Sequence, residues 1–357
     1  MNQDKAQNET QDRTQDRTQG YDEARRFLTG LPPGARLAIS YHGDADGSGS
    51  AALAAAFLER TGRIVAVATA PRKGEDLFGE AYRERLLAAR PDALLVLDHG
   101  SRPERVLEGV PTLVVDHHDV PPEGVPAEGY LSGLNESPTP TAALMTWRLL
   151  SPLADLSDIG WLGAVGMIGD LGSDAPFPEL VSAKKQWGQK HLTETVALVN
   201  AAKRSGAHDT DTSLRALRTA VAPREIATGM VPEYDLLTEY RAEVQAERMR
   251  CAKTAPRFAG DWALLRFSSP CQIHGPLASS WVGRLPRHLV LAANDGYTPG
   301  NVHFSVRTRR PDENLLTRLR AFRADLGVPE LGQGHAEATG GVLPVATFEK
   351  LLGLLGF

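Results

Sequence analysis

Three short apolar runs in this chain each end on aspartate or histidine: "LAISYHGDAD" from Leu37, "LLVLDHG" from Leu94 and "LVVDHH" from Leu113. Between the first two, the pattern reads as a helix from about Gly49 to Arg60, a strand "RIVAVAT" and a helix near "GEAYRERLLAA". Continuous apolar strands alternating with helices predict an α/β fold with a parallel sheet covered by helices on both faces. Such sheets bind ligands beyond the carboxyl ends of their strands, where these polar residues lie. "WLGAVGMIGDLGSD" reads as a fourth candidate strand, running into Asp170.

At 357 residues and 42% hydrophobic content, two domains are expected. Residues 1–20 carry a "TQDR" tandem and almost no large apolar side chains, which predicts a disordered tail. The first α/β domain is expected over 21–195. Residues 196–255, with "ALVNAAKR" and the charged "EYDLLTEYRAEVQAERMRCAK" at its ends, read as a helical linker on which two copies could pair as a homodimer. Strand-like runs return in "WALLRF", "HLVLAAN" and "NVHFSVRT", followed by the glycine-rich "GQGHAEATGG", so 256–357 reads as a smaller α/β domain.

The formal net charge of −5 argues against coating long duplex nucleic acid and leaves small anionic substrates open. Cys251 and Cys271 are the only cysteines and form no CxxC, which argues against a disulfide scaffold or structural zinc and fits a reducing cytoplasm. No run reaches the roughly 18 to 20 apolar residues of a membrane span, and the polar N-terminus lacks a signal core. A cytoplasmic chain with no membrane partner is the expectation.

His42, Asp44, Asp46, Asp98, His117, His118 and Asp170 form one constellation. Singly, each is an ordinary turn, cap or solvated loop residue. Together they outnumber the ligands of one tetrahedral zinc, and their mixed oxygen and nitrogen donors suit Mn²⁺ or a related octahedral ion. Two ions fit better than one and could bind a phosphate and acidify a bridging water, the chemistry of a phosphoester hydrolase. In an extended chain residues two apart project to one side, so His42, Asp44 and Asp46 can face one centre. Gly47 and Gly49 would permit tight backbone conformations, and the following helix N-terminus would offer amides to an anion.

The order "HGDADG", "LDHG", "VDHH", "IGDLG" resembles the four motifs of the DHH phosphoesterase superfamily, and "GQGHAEATGG" resembles the GGGH motif of its DHHA1-type second domain. The likeness spans about 35–175 and 258–350. It implies a DHH catalytic domain and a DHHA1-type domain with the active site in the cleft between them. By this resemblance His42, Asp44 and Asp98 would hold one metal. Asp46, the bridging Asp98, His117 and Asp170 would hold the second. His118 would assist the leaving oxygen, with Asp116 orienting a histidine. Arg307, Gly332, Gly334 and His335 would contact substrate, although Gln333 stands where the family usually has glycine.

"AKKQW" at 183–187 falls in the wrong domain for the lysine-rich signature of family II pyrophosphatases. "LVNAAKRSG" resembles a helical segment of RecJ-type nucleases, with Lys203 in place of the usual glycine. A processive nuclease generally needs a further OB-type surface to track a strand, for which the chain has no spare segment. The resemblance therefore implies a two-Mn²⁺ phosphodiesterase, with Mg²⁺ or another divalent ion as a substitute. Its expected substrate is a short nucleotide, cyclic di-AMP or a linear dinucleotide of the nanoRNA type, cut to 5′-nucleotides. The alternative is a RecJ-like 5′–3′ exonuclease acting on single-stranded ends. Less favoured are a pyrophosphatase and a binding module without turnover.

Overall fold

The computed structural model describes residues 19–328 and 331–357, with the backbone alone at 333–335. The tail reading therefore lies, up to residue 18, outside the described residues. The chain divides into two compact units, one running up to Lys203 and including Asp209–Thr238, the other made of Arg204–His208 and Glu239–Phe357.

In the first unit a helix over 19–30 (α1) precedes β1 (Arg36–Tyr41), α2 (Ala45–Arg60), β2 (Ile64–Thr69), α3 (Glu80–Ala88), β3 (Ala93–Leu97), β4 (Thr112–Asp116) and β5 (Gly129–Ser132). The five strands form one sheet in the order β2-β1-β3-β4-β5, and every pairing is parallel. All of β3 and β4 is buried, as expected of strands covered on both faces. The order reverses between β1 and β3, so the carboxyl ends of the central strands open on the switch-point crevice. β5, "GYLS", went unread because four residues with one glycine carry no periodic signal.

The helices α4 (Ala142–Leu150), α5 (Trp161–Leu171), α6 (Pro178–Trp187), α7 (Gln189–Arg204), α8 (Thr210–Thr219) and α9 (Pro223–Ala227) follow, and α10 (Tyr234–Cys251) carries the chain into the second unit. The candidate strand "WLGAVGMIGDLGSD" is instead α5, a buried helix. Gly163, Gly166 and Gly169 recur every three residues along it and let it pack closely on α2 and α4. A Cβ on Gly166 would lie 2.5 Å from that of Ala143, and one on Gly169 would lie 2.8 Å from that of Ala45. This packing overrides the poor helix propensity of glycine, and an all-round apolar helix is easily mistaken for a buried strand.

The helix expected from Gly49 starts four residues earlier. Asp44 caps α2, its Oδ1 accepting from the amides of Asp46 (3.1 Å) and Gly47 (3.2 Å). Gly47 and Gly49 therefore lie inside the helix, where their function is space. A Cβ on Gly47 would sit 2.0 Å from the carbonyl oxygen of His42, and one on Gly49 2.8 Å from that of Leu162.

The second unit contains β6 (Arg257–Ala259), β7 (Trp262–Phe267), α11 (His274–Val282), β8 (Leu289–Asn294), β9 (Asn301–Arg307), α12 (Leu315–Arg320), α13 (Arg323–Leu326), β10 (Gln333–His335), β11 (Ala338–Pro344) and α14 (Val345–Leu354). Its sheet runs β10-β11-β9-β8-β7-β6, with β7 and β8 parallel through the α11 crossover and the other pairs antiparallel. Alternation along the strands builds a core on each face: Leu264, Leu291 and Phe304 pack with Phe348 of α14, while Leu265, Val290 and Ala292 pack with Leu277 of α11. The glycine-rich "GQGHAEATGG" contains a hairpin, β10 paired with β11.

Gly166→Ala would place its Cβ 2.2 Å from Asp46 Oδ1. Urea unfolding should show a loss of about 1–3 kcal/mol for this overpacking. Gly353→Ala, on α14 with nothing within 4 Å of the added atom, should be neutral or stabilise by up to about 1 kcal/mol.

Candidate metal centre

The end of β1 supplies the first donors. His42 continues the strand, its amide donating to the carbonyl of Leu97 at 3.1 Å, and its Nδ1 lies 2.8 Å from Asp44 Oδ2 and 3.2 Å from Asp98 Oδ2. Asp46 reaches the same region from the first turn of α2, so simple strand alternation does not account for its direction. Asp46 is fully buried. Its Oδ2 accepts from the amide of Ala142 (2.7 Å) and its Oδ1 from that of Ala143 (2.9 Å), at the N-terminus of α4 where an anion is favoured.

Asp98 follows β3 in the left-handed region, φ 64°, a conformation aspartate tolerates better than most residues. Its amide donates to Val115 at 2.9 Å, and its side chain is 2% exposed. One carboxylate oxygen faces His42. The other, Oδ1, lies 3.2 Å from His117 Nε2, which is also 3.4 Å from Asp170 Oδ2 and 3.8 Å from Asp46 Oδ2. Asp170 comes from the C-terminal turn of α5.

Asp116 ends β4 and is buried. Its Oδ1 accepts from His118 Nδ1 at 2.7 Å and from the amide of His117 at 2.9 Å, while its Oδ2 accepts from Ser101 Oγ at 2.6 Å. It fixes both histidines of "DHH" at once, and His118 keeps a side chain 48% exposed at the rim.

Burial penalises every charge here, and the neighbours decide the outcome. Against that penalty, the Asp116 carboxylate holds His118 above the usual histidine range, and His118 and Ser101 hold Asp116 below the usual carboxylate range. Burial also opposes a charged His117, but Asp98, Asp46 and Asp170 push it up to about 10. The two histidines keep Asp98 low despite its burial. Asp46 and Asp170 go the other way: burial raises both and crowding by other carboxylates adds to it, taking Asp170 to about 7.

Two overlapping donor groups result, His42–Asp44–Asp98 and Asp46–Asp98–His117–Asp170, each with ligand atoms within 4.8 Å of one another; Asp98, His117 and His118 form a third cluster. Asp98 Oδ1 and His117 Nε2 are buried without a hydrogen-bond partner among the described residues, although they face each other. Closeness without alignment, in a set of three carboxylates and an imidazole, fits donors that converge on a cation. The residues present therefore fit a divalent ion.

Other features went unread in the sequence. Asn200 Oδ1 on α7 accepts from the amide of Ala45 at 3.0 Å, and with Asp44 it occupies first-turn amides of α2 that the sequence reading left open for an anion. Lys203, noted only as a departure from glycine, lies 2.5 Å through Nζ from His42 Nε2 and 3.4 Å from Asp44 Oδ2. No spacing rule connects residues so far apart in sequence. In the second unit Arg307 ends β9, its Nη1 donating to the carbonyls of Val306 (2.9 Å) and Thr339 (3.2 Å), and burial lowers it. Gly332 takes φ +85°, where a side chain would be strained. The side chains of Gln333 and His335 lie outside the described residues.

The raised Asp170 gives a pH prediction for the metal-free protein. A carboxylate at about 7 when folded and 3.8 unfolded binds more protons in the native state, so stability falls as pH rises between these values. The Tm should drop across this window, and Asp170→Asn should flatten the drop, measured by thermal unfolding in chelator. His117 adds a further loss as pH rises from 6.5 towards about 10.

No protein-family model matches the chain, and neither does any curated protein. Solved structures do. RecJ from Thermus thermophilus in complex with Mn²⁺ matches with a TM-score of 0.68 at 20% identity, covering 94% of this chain and 53% of that one. This chain thus spans about half the length of that protein. A manganese-bound exonuclease RecJ matches at 0.67 and 19% identity, covering 94% and 93%. The DHH domain of a protein described as a member of a ribosomal-protein family matches at 0.66 and 13%, covering 97% and 90%. No helix among the described residues is long and apolar enough to cross a membrane. The fold is that of RecJ and the DHH-domain proteins.

Proposed function

We propose that this chain is a metal-dependent phosphodiesterase of the DHH type that hydrolyses short nucleotides, cyclic di-AMP or linear dinucleotides, to 5′-nucleotides. The observation that carries the reading is Asp98, one carboxylate offered by its two oxygens to two adjacent donor groups. In this reading His42, Asp44 and Asp98 form one ion position, and Asp46, Asp98, His117 and Asp170 the other, with Mn²⁺ the expected ion. A divalent ion held there would neutralise phosphate charge and lower the pKa of a bound water.

The chain's own part is to position and to hold a proton. Asp116 engages His118 through Nδ1, which leaves Nε2 as the nitrogen for substrate. Held above its usual range by Asp116, His118 is favoured in its protonated form and in this reading gives that proton to the leaving 3′ oxygen as the phosphorus–oxygen bond breaks. Buried Asp116 stays anionic and keeps the ring oriented. The net charge of −5 favours a short substrate over tracking a long polyanion. Backbone likeness to a manganese-bound exonuclease RecJ favours a second reading, removal of nucleotides from the 5′ end of a single strand.

A product-resolved assay with Mn²⁺ separates them. Release of 5′-AMP from cyclic di-AMP or linear di-adenylate supports the first reading. Intact dinucleotides beside a shortened 5′-phosphorylated strand would establish the second, and no cleavage of either would leave a binding module. Asp98→Asn should lower kcat by about a thousandfold or more, since it weakens both donor groups. His118→Ala should cost about 10²- to 10⁴-fold. The activity of a general acid falls as pH rises through its pKa, so Asp116→Asn should move the alkaline limb of kcat to lower pH.

A further inference from the structure

We propose that Lys203 takes the place of an ion's charge at the His42–Asp44–Asp98 group, leaving Asp46–Asp98–His117–Asp170 as the one tight metal position. This rests on reading the cluster as a metal centre. The two donor groups differ in what already surrounds them. Lys203 lies in the last turn of α7, with a side chain 12% exposed. Its ammonium touches two of the three residues of the first group, His42 through Nε2 and Asp44 through Oδ2. The contact sets the Lys203 side chain directly against two residues of the first group, on the side from which an ion would have to be held. Asp44 and Asp98 are thus two carboxylates with a resident cation beside them.

Among the described residues the second group has no lysine or arginine among its ion-pair partners: Asp46, Asp98 and Asp170 gather around His117, and Asp98 also reaches His42. Three carboxylates and one imidazole call for external positive charge, whereas an ion in the first group must approach an ammonium already paired with its ligands. The lysine is also held in place. Asn200, one turn earlier on α7, accepts from the amide of Ala45 at 3.0 Å and so pins this helix to the start of α2. A cation in the last turn of a helix is further favoured by the helix dipole.

The test is Mn²⁺ uptake, read as free-ion signal and as spin coupling by electron paramagnetic resonance. Wild-type protein is compared with Lys203→Met, which keeps the stem and removes the charge, and with Lys203→Arg, which keeps the charge. Wild type and Lys203→Arg should bind one Mn²⁺ tightly and a second at least about tenfold more weakly. Lys203→Met should bind both tightly and show the coupled-pair spectrum at lower Mn²⁺. Two equally tight, coupled ions in wild type, or a second ion unaffected by Lys203→Met, would overturn the proposal while leaving the metal centre standing. Absence of Mn²⁺ binding in all three would remove the metal centre itself and the proposal with it. Circular dichroism checks that each variant folds, and Lys203→Gln provides a second neutral variant.

Discussion

The Asp98 carboxylate, shared between two histidines that come from opposite sides, is the interaction on which the site depends. Its position follows from the sheet. β3 lies between β1 and β4, so a residue at its carboxyl end is flanked by the residues that end both neighbours, His42 on one side and His117 on the other. Each distance is 3.2 Å, and each uses a different oxygen. The left-handed turn at Asp98 ends the strand while the amide still bonds to Val115, so the side chain leaves the sheet at the crevice. A parallel order with β3 at either edge would lose one of the two partners.

The rest of the first unit accommodates the charge gathered there. Four carboxylates, Asp44, Asp46, Asp98 and Asp170, lie close together with little access to water, and desolvation works against all of them. Each is given a different remedy. Asp44 caps α2, Asp46 receives two amides from α4, and Asp98 lies between histidines. Burial and neighbouring carboxylates nevertheless raise both Asp46 and Asp170 towards the neutral form. The glycines of α5 belong to the same arrangement, because the helix that carries Asp170 must approach Asp46 more closely than any side chain at 166 would allow. An arrangement that loosens when its carboxylates ionise is the expected cost of a site built for a cation.

The sequence made the sheet and most donors readable because both rest on strong local signals. "LLVLDHG" and "LVVDHH" each show a buried strand and its polar terminus within seven residues or fewer, and a parallel sheet then brings the termini together. Asp170 was read as the end of a fourth strand and as part of the motif order; its segment is a helix, and it still delivers the carboxylate to the same cluster. The glycine stripe that makes α5 pack closely also removes the bulky residues by which a helix is recognised. Asn200 and Lys203 stayed invisible because their partners lie more than 150 residues away, and only the folding of α7 onto α2 joins them. Within "HGDADG" all three polar residues reach the centre, but by a strand end, a helix cap and a first helical turn rather than by one extended stretch.

The donors gathered around the oxygen of Asp98 that faces His117 fit a cation. The most direct measurement is an anomalous difference map, at the manganese edge, from crystals equilibrated with Mn²⁺. The predicted result is a peak enclosed by Asp46, Asp98, His117 and Asp170. A map in which these four side chains carry no peak, while manganese binds elsewhere or not at all, would contradict it.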